Sequence, residues 1–395
     1  MAVNEHSALA PVNFMPKVQM FLSKRLVAKE IARTEFKAQL RSGQSIDWPY
    51  ITRGRAQGYT PGTDLEMDAN KAASDTMLID QSSAATFVLD PNQRAQAEDK
   101  TISAQLADEQ AYVLANEIDQ KILKEGTDNA GSTVDGGALA AATLYAQMTN
   151  ITATLQRANA NGKRFAVLDP ETCALIAQLE VANGFNTADA ALANGFVGKS
   201  HAGFYVYSSN NLPTTVTMTM DTQPTNGDTT TIAGATWTWV TDATAANAGE
   251  INIGADVADA KDIFVTAING TTPPTANDYI DIDVENRRDY QQAVVAAAAF
   301  TGDDCVITGF GKLACSETFT AATNGFSLEE GSMLFGTKGA VSLGMQIQPT
   351  MSSAPEPKRP MEMNYALHDL YGKKVFYRDV PKLVKMTRTV TAATI

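Results

Sequence analysis

The chain is poor in the residues from which most catalytic sites are built. It holds three histidines, His6, His201 and His368, and three cysteines, Cys173, Cys305 and Cys315, in 395 residues. None of them lies at the short spacing that a zinc site needs, and no CxxC pair occurs, so structural zinc, dithiol redox chemistry and a disulfide framework are all excluded as organising principles. The cysteines read as small buried apolar residues and the histidines as exposed or structurally satisfied imidazoles. GxSxG, HExxH, GxxxxGK[ST] and GxGxxG are absent, and Gly309-Phe-Gly-Lys312 matches a phosphate loop in only two glycines. The carboxylate pairs Asp281 with Asp283 and Asp303 with Asp304 lack the loop framework of a calcium site and read as a solvated face. No catalytic residue, metal or cofactor is therefore expected. There is also no apolar run of about 18 residues, and Met1 to Ala10 lacks the charged region and apolar stretch of a signal peptide. The expectation is a soluble protein made in a cytoplasm, with no membrane partner.

What is present is enough apolar content for a large core, 44%, in a chain long enough for two or three domains. The net charge of -13 is unevenly spread. Residues 214 to 325 hold 15 acidic and 4 basic residues, a net of -11, which leaves -2 for everything else. An acidic module on a nearly neutral body stays soluble and disfavours nucleic acid, since both are negative.

Along the chain, Pro16 is placed to open a helix through Lys29, with Phe21, Leu22 and Leu26 on one face. Ile46, Trp48 and Tyr50 alternate as in a strand, which Pro49 confines to an edge or bulge. Two further strand-like runs follow at Met77 to Asp80 and Ala85 to Leu89. Between the arms, Gly54 to Ser74 is polar and turn-rich, so it predicts a long two-armed excursion. Asp90-Pro91 predicts a helix start and Gly126 a stop, with no other Pro or Gly between them, a helix on the order of 50 Å. A glycine-rich joint at Gly131 to Gly137 precedes a helix carrying Leu144, Met148, Ile151 and Leu155. Phe165 to Leu168 predicts a buried strand that feeds a helix through Asp169 and Pro170. From Thr214 the composition turns to Thr, Asp, Gly and Ala, with short runs such as Thr236 to Val240, Asp262 to Val265 and Tyr279 to Val284, predicting a small all-β insertion. Pro349 to Pro360 reads as a stiff connector and Tyr371 to Pro381 as a closing strand pair.

In the excursion, Arg53 and Arg55 stand on one arm, Tyr59 near the turn, and Asp64, Glu66 and Asp68 near the tip. Opposed charges so spaced suit pairing with neighbouring subunits, and these six residues are the candidate contact residues. Plain solvation is the equal alternative.

Four stretches, Gly43-Gln-Ser-Ile-Asp-Trp-Pro-Tyr-Ile51, Phe87-Val-Leu-Asp-Pro-Asn-Gln-Arg-Ala-Gln96, Ala202-Gly-Phe-Tyr-Val-Tyr-Ser-Ser-Asn-Asn-Leu-Pro213 and His368-Asp-Leu-Tyr-Gly-Lys-Lys-Val375, stand in an order that resembles the Hong Kong 97 phage-type fold of tailed-bacteriophage major capsid proteins. The resemblance covers nearly everything outside 214 to 325. It implies an α+β chain with an N-terminal arm and helix (1 to 42), an extended loop (43 to 90), a spine helix and peripheral domain (91 to 162), a first axial part (163 to 213), the acidic β insertion domain (214 to 325) and closing axial and peripheral strands (326 to 395). An insertion in the axial region also occurs in Salmonella-phage-type coat proteins, and here it is expected to face away from DNA. The resemblance further implies homo-oligomerisation as hexamers and pentamers into an icosahedral shell, assembled as a procapsid in the host bacterial cytoplasm. That shell encloses double-stranded DNA without sequence-specific binding. Its partners would be a scaffolding protein, a portal and, optionally, a decoration protein. Two departures stand out: Lys71 lies in a loop suited to covalent cross-linking but has no matching partner motif, and no long charged helical stretch precedes Pro16 to act as a built-in scaffold.

Three rival readings differ in class. An encapsulin-like compartment shell is a near relative distinguished by its contents. A hydrolase or transferase lacks an assembled nucleophile, base and orienting residue. A carbohydrate binder using Trp237 and Trp239 competes with the simpler reading of both rings as one face of a small core.

Overall fold

The computed structural model describes residues 26–38, 43–51, 54, 56–64, 72–89, 102–182, 202–241, 245–272, 278–356 and 359–390. Helices and sheets are mixed, as an α+β reading requires. The helix expected from Pro16 lies outside the described residues except for one turn, Ala28–Ile31, and so does the expected start at Asp90-Pro91.

A 27-residue helix, Ile102–Asp128, is the longest helix described, roughly 40 Å at the usual rise. It runs through Gly126 rather than stopping there. A methyl group at that position would sit 2.6 Å from Leu334 Cδ2 and 3.2 Å from Val341 Cγ2, so the glycine serves close packing of helix on sheet, not termination. The supposed joint after it also contains a strand, Ser132–Asp135, which pairs in parallel with Leu383–Val390.

Strand Glu329–Thr337 organises the main sheet. On one side it pairs with Leu383–Val390 along its length. On the other, its first residues pair with strand Pro213–Thr219 and its last with the buried strand Arg164–Leu168, so two wings branch from one strand. Among the described residues this gives a nine-stranded sheet. Helix Ala141–Arg157 buries Leu144, Met148, Ile151 and Leu155 against the body wing, together with Ile118 and Ile122 of the long helix. Asp169 caps the helix Pro170–Ala182, as read from the sequence, accepting from the Thr172 N–H at 3.1 Å.

The other wing continues into residues 214 to 325, which are not all β. Two helices, Val257–Asn269 and Val284–Ala293, lie among the strands, and the run Asp262 to Val265 is helical. The physical reason was present locally. Asp256 accepts from the N–H groups of Ala258 and Asp259, Gly270 ends the helix in a left-handed conformation, and Ala260, Ile263, Phe264 and Ala267 recur at helical spacing. Caps and periodicity outweigh the β-branched composition. Trp237 and Trp239 are fully buried in this wing's core with Phe264 and Tyr290, so neither is a platform for sugar. At the sheet's outer edge, the Asn269 side chain bonds both Ala297 N (2.8 Å) and Ala297 O (3.0 Å), occupying an edge that would otherwise invite another strand.

A long hairpin, Val341–Glu356 with Arg359–Val375, projects with strand Gln81–Leu89 added beside it. Pro349 and Pro355 therefore belong to a strand, not a connector. That strand is at the edge of its three-stranded sheet, where missing N–H groups cost no ladder bond and discourage stray pairing. The segment after Tyr371 is likewise not a strand pair: it ends the hairpin, turns at Val380–Lys382 and enters the main sheet.

Candidate assembly surfaces

The excursion forms a ribbon. Ser45–Ile51 pairs with Ala72–Leu78 in unbroken antiparallel register, with Pro49 opposite Ser74 in a sheet of two strands. Its base is an aromatic knot. Trp48 meets Phe36 edge-on at 5.4 Å and Phe376 at 5.6 Å, with the Arg33 guanidinium 5.3 Å from its ring. Ile46, Met77 and Ile79 complete this cluster. Farther out, Tyr50 stacks on Tyr377 at 6.1 Å and Arg378 donates to the Ile51 carbonyl.

Polar contacts fix the other arm. Lys374 pairs with Asp75 and donates to Thr76 O at 2.6 Å, while the Tyr377 N–H donates to Asp75 at 2.8 Å. Burial alone would raise the Asp75 carboxyl, but the hydrogen bonds from Lys374 and Tyr377 outweigh it and hold the group below the usual carboxylate value. Behind this clamp Gly372 lies so close to the chain turning out of the ribbon that a methyl group there would sit 2.3 Å from Leu78 O.

A second anchor lies on the long helix. Asp119, 1% exposed, accepts from the N–H groups of Val27 (2.7 Å) and Ala28 (2.6 Å) and from Asn211 Nδ2 (2.8 Å). One carboxylate thus ties the incoming N-terminal segment to the helix and to the body.

Several large exposed apolar side chains lie on the projecting parts, while Tyr145, Tyr205, Val306 and Leu328 are exposed elsewhere. Ile51, Tyr59 and Leu78 are 63%, 69% and 58% exposed on the excursion, Val88 and Met351 lie on the three-stranded sheet, and Tyr377 lies at the ribbon base. Side chains of that size on extended arms are what a surface meant for partners provides. Of the six candidate contact residues, Tyr59 and Asp64 are exposed between the arms, while Arg53, Arg55, Glu66 and Asp68 lie outside the described residues, as does Lys71. The aromatic base was the part not singled out from sequence; Phe376 and Tyr377 lie just beyond the end of the strand Arg359–Val375, where no periodicity marks them.

A cleft of about 310 Å³ lies where the two wings of the main sheet meet, lined by Asp169, Glu171, Lys312, Glu329 and Arg388 among others. Each of its two cations is paired with a carboxylate. Arg388 bridges Asp169 and Glu171, Lys312 lies 3.3 Å from Glu171, and Glu329 accepts from the Leu313 and Cys315 N–H groups. Such a network fastens the last strand. Burial pushes the thiols of Cys173 and Cys315 up to about 12 and that of Cys305 up to about 11. Among the described residues no group of three or more His, Cys, Asp and Glu is placed to hold a metal ion.

Solved structures with this arrangement come from phages. A Mycobacterium phage Che8 structure superposes with a TM-score of 0.57 at 15% identity, covering 98% of both chains. A capsid structure of cyanophage P-SCSP1u gives 0.55 at 14% identity over 99% of this chain and 97% of that one. The chain has the tailed-phage capsid fold. The mature capsid of bacteriophage PhiM1 gives a TM-score of 0.50 at 13% identity over 97% and 93%. The capsid fold is thus matched along almost the whole chain at low identity. No protein-family model matches the sequence, and no curated protein matches it either. Among the described residues no helix is long and apolar enough to cross a membrane.

Proposed function

We propose that this chain is a major capsid protein, a non-enzymatic shell subunit that assembles as hexamers and pentamers into an icosahedral shell around double-stranded phage DNA. The observation that carries this reading is the capsid fold combined with arms whose large apolar side chains are exposed among the described residues. The excursion, including Arg53, Arg55, Tyr59, Asp64, Glu66 and Asp68, supplies contacts between neighbouring copies. A scaffolding protein guides assembly and a portal occupies one vertex; a decoration protein is an optional addition. The acidic segment 214 to 325 faces away from the packaged DNA, since its charge of -11 would repel phosphate.

The test is to express the chain alone and together with its phage's scaffolding protein, followed by size-exclusion chromatography and negative-stain microscopy. Ring-shaped capsomers or irregular shells alone, and uniform closed shells with the scaffold, are expected. Uniform closed shells from the chain alone would remove the scaffold from the account. A compact monomer under both conditions would remove the shell.

A further inference from the structure

One carboxyl group is placed where a charge is costly. Asp369, on the hairpin strand, is 0% exposed, sandwiched between strand Gln81–Leu89 and the long helix. Its Oδ1 accepts from the Ser83 N–H at 3.0 Å, whereas its Oδ2 is buried with no hydrogen-bond partner among the described residues. Two residues along the same strand, the Tyr371 hydroxyl is also buried without a partner. Across the interface, Ser83 Oγ donates to Glu117 of the helix at 2.7 Å, so a single serine serves both carboxyl groups. The other charged groups around them are Lys121, which is 2.6 Å from Glu117 and lies over the Tyr371 ring at 5.8 Å, the exposed neighbour His368, and Asp80 at the turn before the strand. Lys121 is committed to Glu117, which leaves Asp369 without a cation of its own.

We propose that Asp369 is a proton-operated latch between the long helix and the hairpin arm. Ionised, the fully buried carboxyl presents a lone oxygen to the field of Glu117. Taking one proton from solvent turns Oδ2 from an orphaned acceptor into a neutral hydroxyl and removes the like-charge repulsion with Glu117. Burial, with Glu117 adding to it, already holds this carboxyl above the usual value, against the Ser83 N–H and Lys121. For a carboxyl raised in this way the folded protein binds the proton more tightly than the unfolded chain. The added stability is then fully present below the unfolded value near 4 and is lost as pH rises through the raised one. The helix and hairpin therefore grip more tightly on acidification. This holds whether or not the chain builds a shell, because both elements lie within one subunit.

The test uses the full-length chain, comparing wild type with Asp369→Asn, which keeps the acceptor for Ser83 and carries a permanent donor in place of the proton. Hydrogen exchange of the Ser83 to Phe87 amides is measured from pH 4.5 to 8 and corrected for intrinsic rates. Wild-type protection in this strand should fall at least tenfold, relative to the variant, between the acid and alkaline ends, with the two converging at the acid end. Glu117→Gln, which removes the opposing charge, should flatten the profile in the same direction. A variant-to-wild-type ratio that stays constant across the range overturns the proposal. If Asp369→Asn does not fold, the wild-type profile decides alone: protection in this strand that does not fall from pH 4.5 to 8 overturns it.

Discussion

Replacing Gly372 by alanine adds one methyl group where the ribbon meets the hairpin. That methyl would stand 2.3 Å from Leu78 O and 3.1 Å from Leu78 C, and backbone atoms cannot swing aside as a side chain end does. Restoring ordinary contact needs about 1 Å of movement. The ribbon yields by tilting about its base, which pulls Tyr50 away from Tyr377 and the Ile51 carbonyl away from Arg378. With strands about 4.8 Å apart, 1 Å at the base is a tilt of roughly 12°. Over a seven-residue arm, about 23 Å at 3.3 Å per residue, this carries the tip some 5 Å sideways. Overpacking of this kind costs about 1–3 kcal/mol. That is less than the stability of a typical domain, so the subunit still folds. The expected result is a soluble Gly372→Ala protein with near-native circular dichroism, a slightly lowered melting temperature, and few or malformed shells by sedimentation and electron microscopy. Gly331→Ala in the main sheet is the control, since a methyl there meets only Arg388 O at an ordinary 3.9 Å. Normal shells from Gly372→Ala, indistinguishable from the control, would refute the idea that this close approach aims the arm.

Asp119→Ala removes the acceptor for two backbone N–H groups and for Asn211, so thermal or denaturant unfolding should show a loss of roughly 2–5 kcal/mol. Asp119→Asn, which keeps one acceptor oxygen, should lose less. Deleting residues 55 to 73 should leave a folded body by circular dichroism that no longer forms stable shells; normal particles would detach the excursion from assembly. With their thiols held at about 11 to 12, the native cysteines should stay unlabelled by maleimide at pH 8 and react only after denaturation, as read by mass spectrometry.

Much of this fold was legible because local and global signals agree. Ile46, Trp48 and Tyr50 alternate, Pro49 demands an edge, and the arm is indeed half of a two-stranded ribbon. Leu144, Met148, Ile151 and Leu155 fall on one helix face and are all buried. The failures came where a residue type serves a tertiary purpose. Gly126 looks like a helix stop but is a packing contact with Leu334, which no local rule reveals. Pro349 and Pro355 look like a linker but protect a strand edge. In the acidic segment, composition concealed the helix from Val257 to Asn269, although Asp256 and Gly270 marked both of its ends. The candidate surface was read through its charges, whereas its described part is anchored by Phe36, Trp48 and Phe376, the last brought to the other two from far along the chain.

The central claim is that the uncovered arms are covered by other copies of the same chain. A cryo-electron microscopy reconstruction of purified particles tests it most directly. The account predicts closed shells of five- and six-fold capsomers in which Ile51, Tyr59 and Leu78 are buried against a neighbouring subunit. Particles whose excursions stand free in solvent, or a preparation that stays monomeric with or without a scaffolding protein, would contradict it.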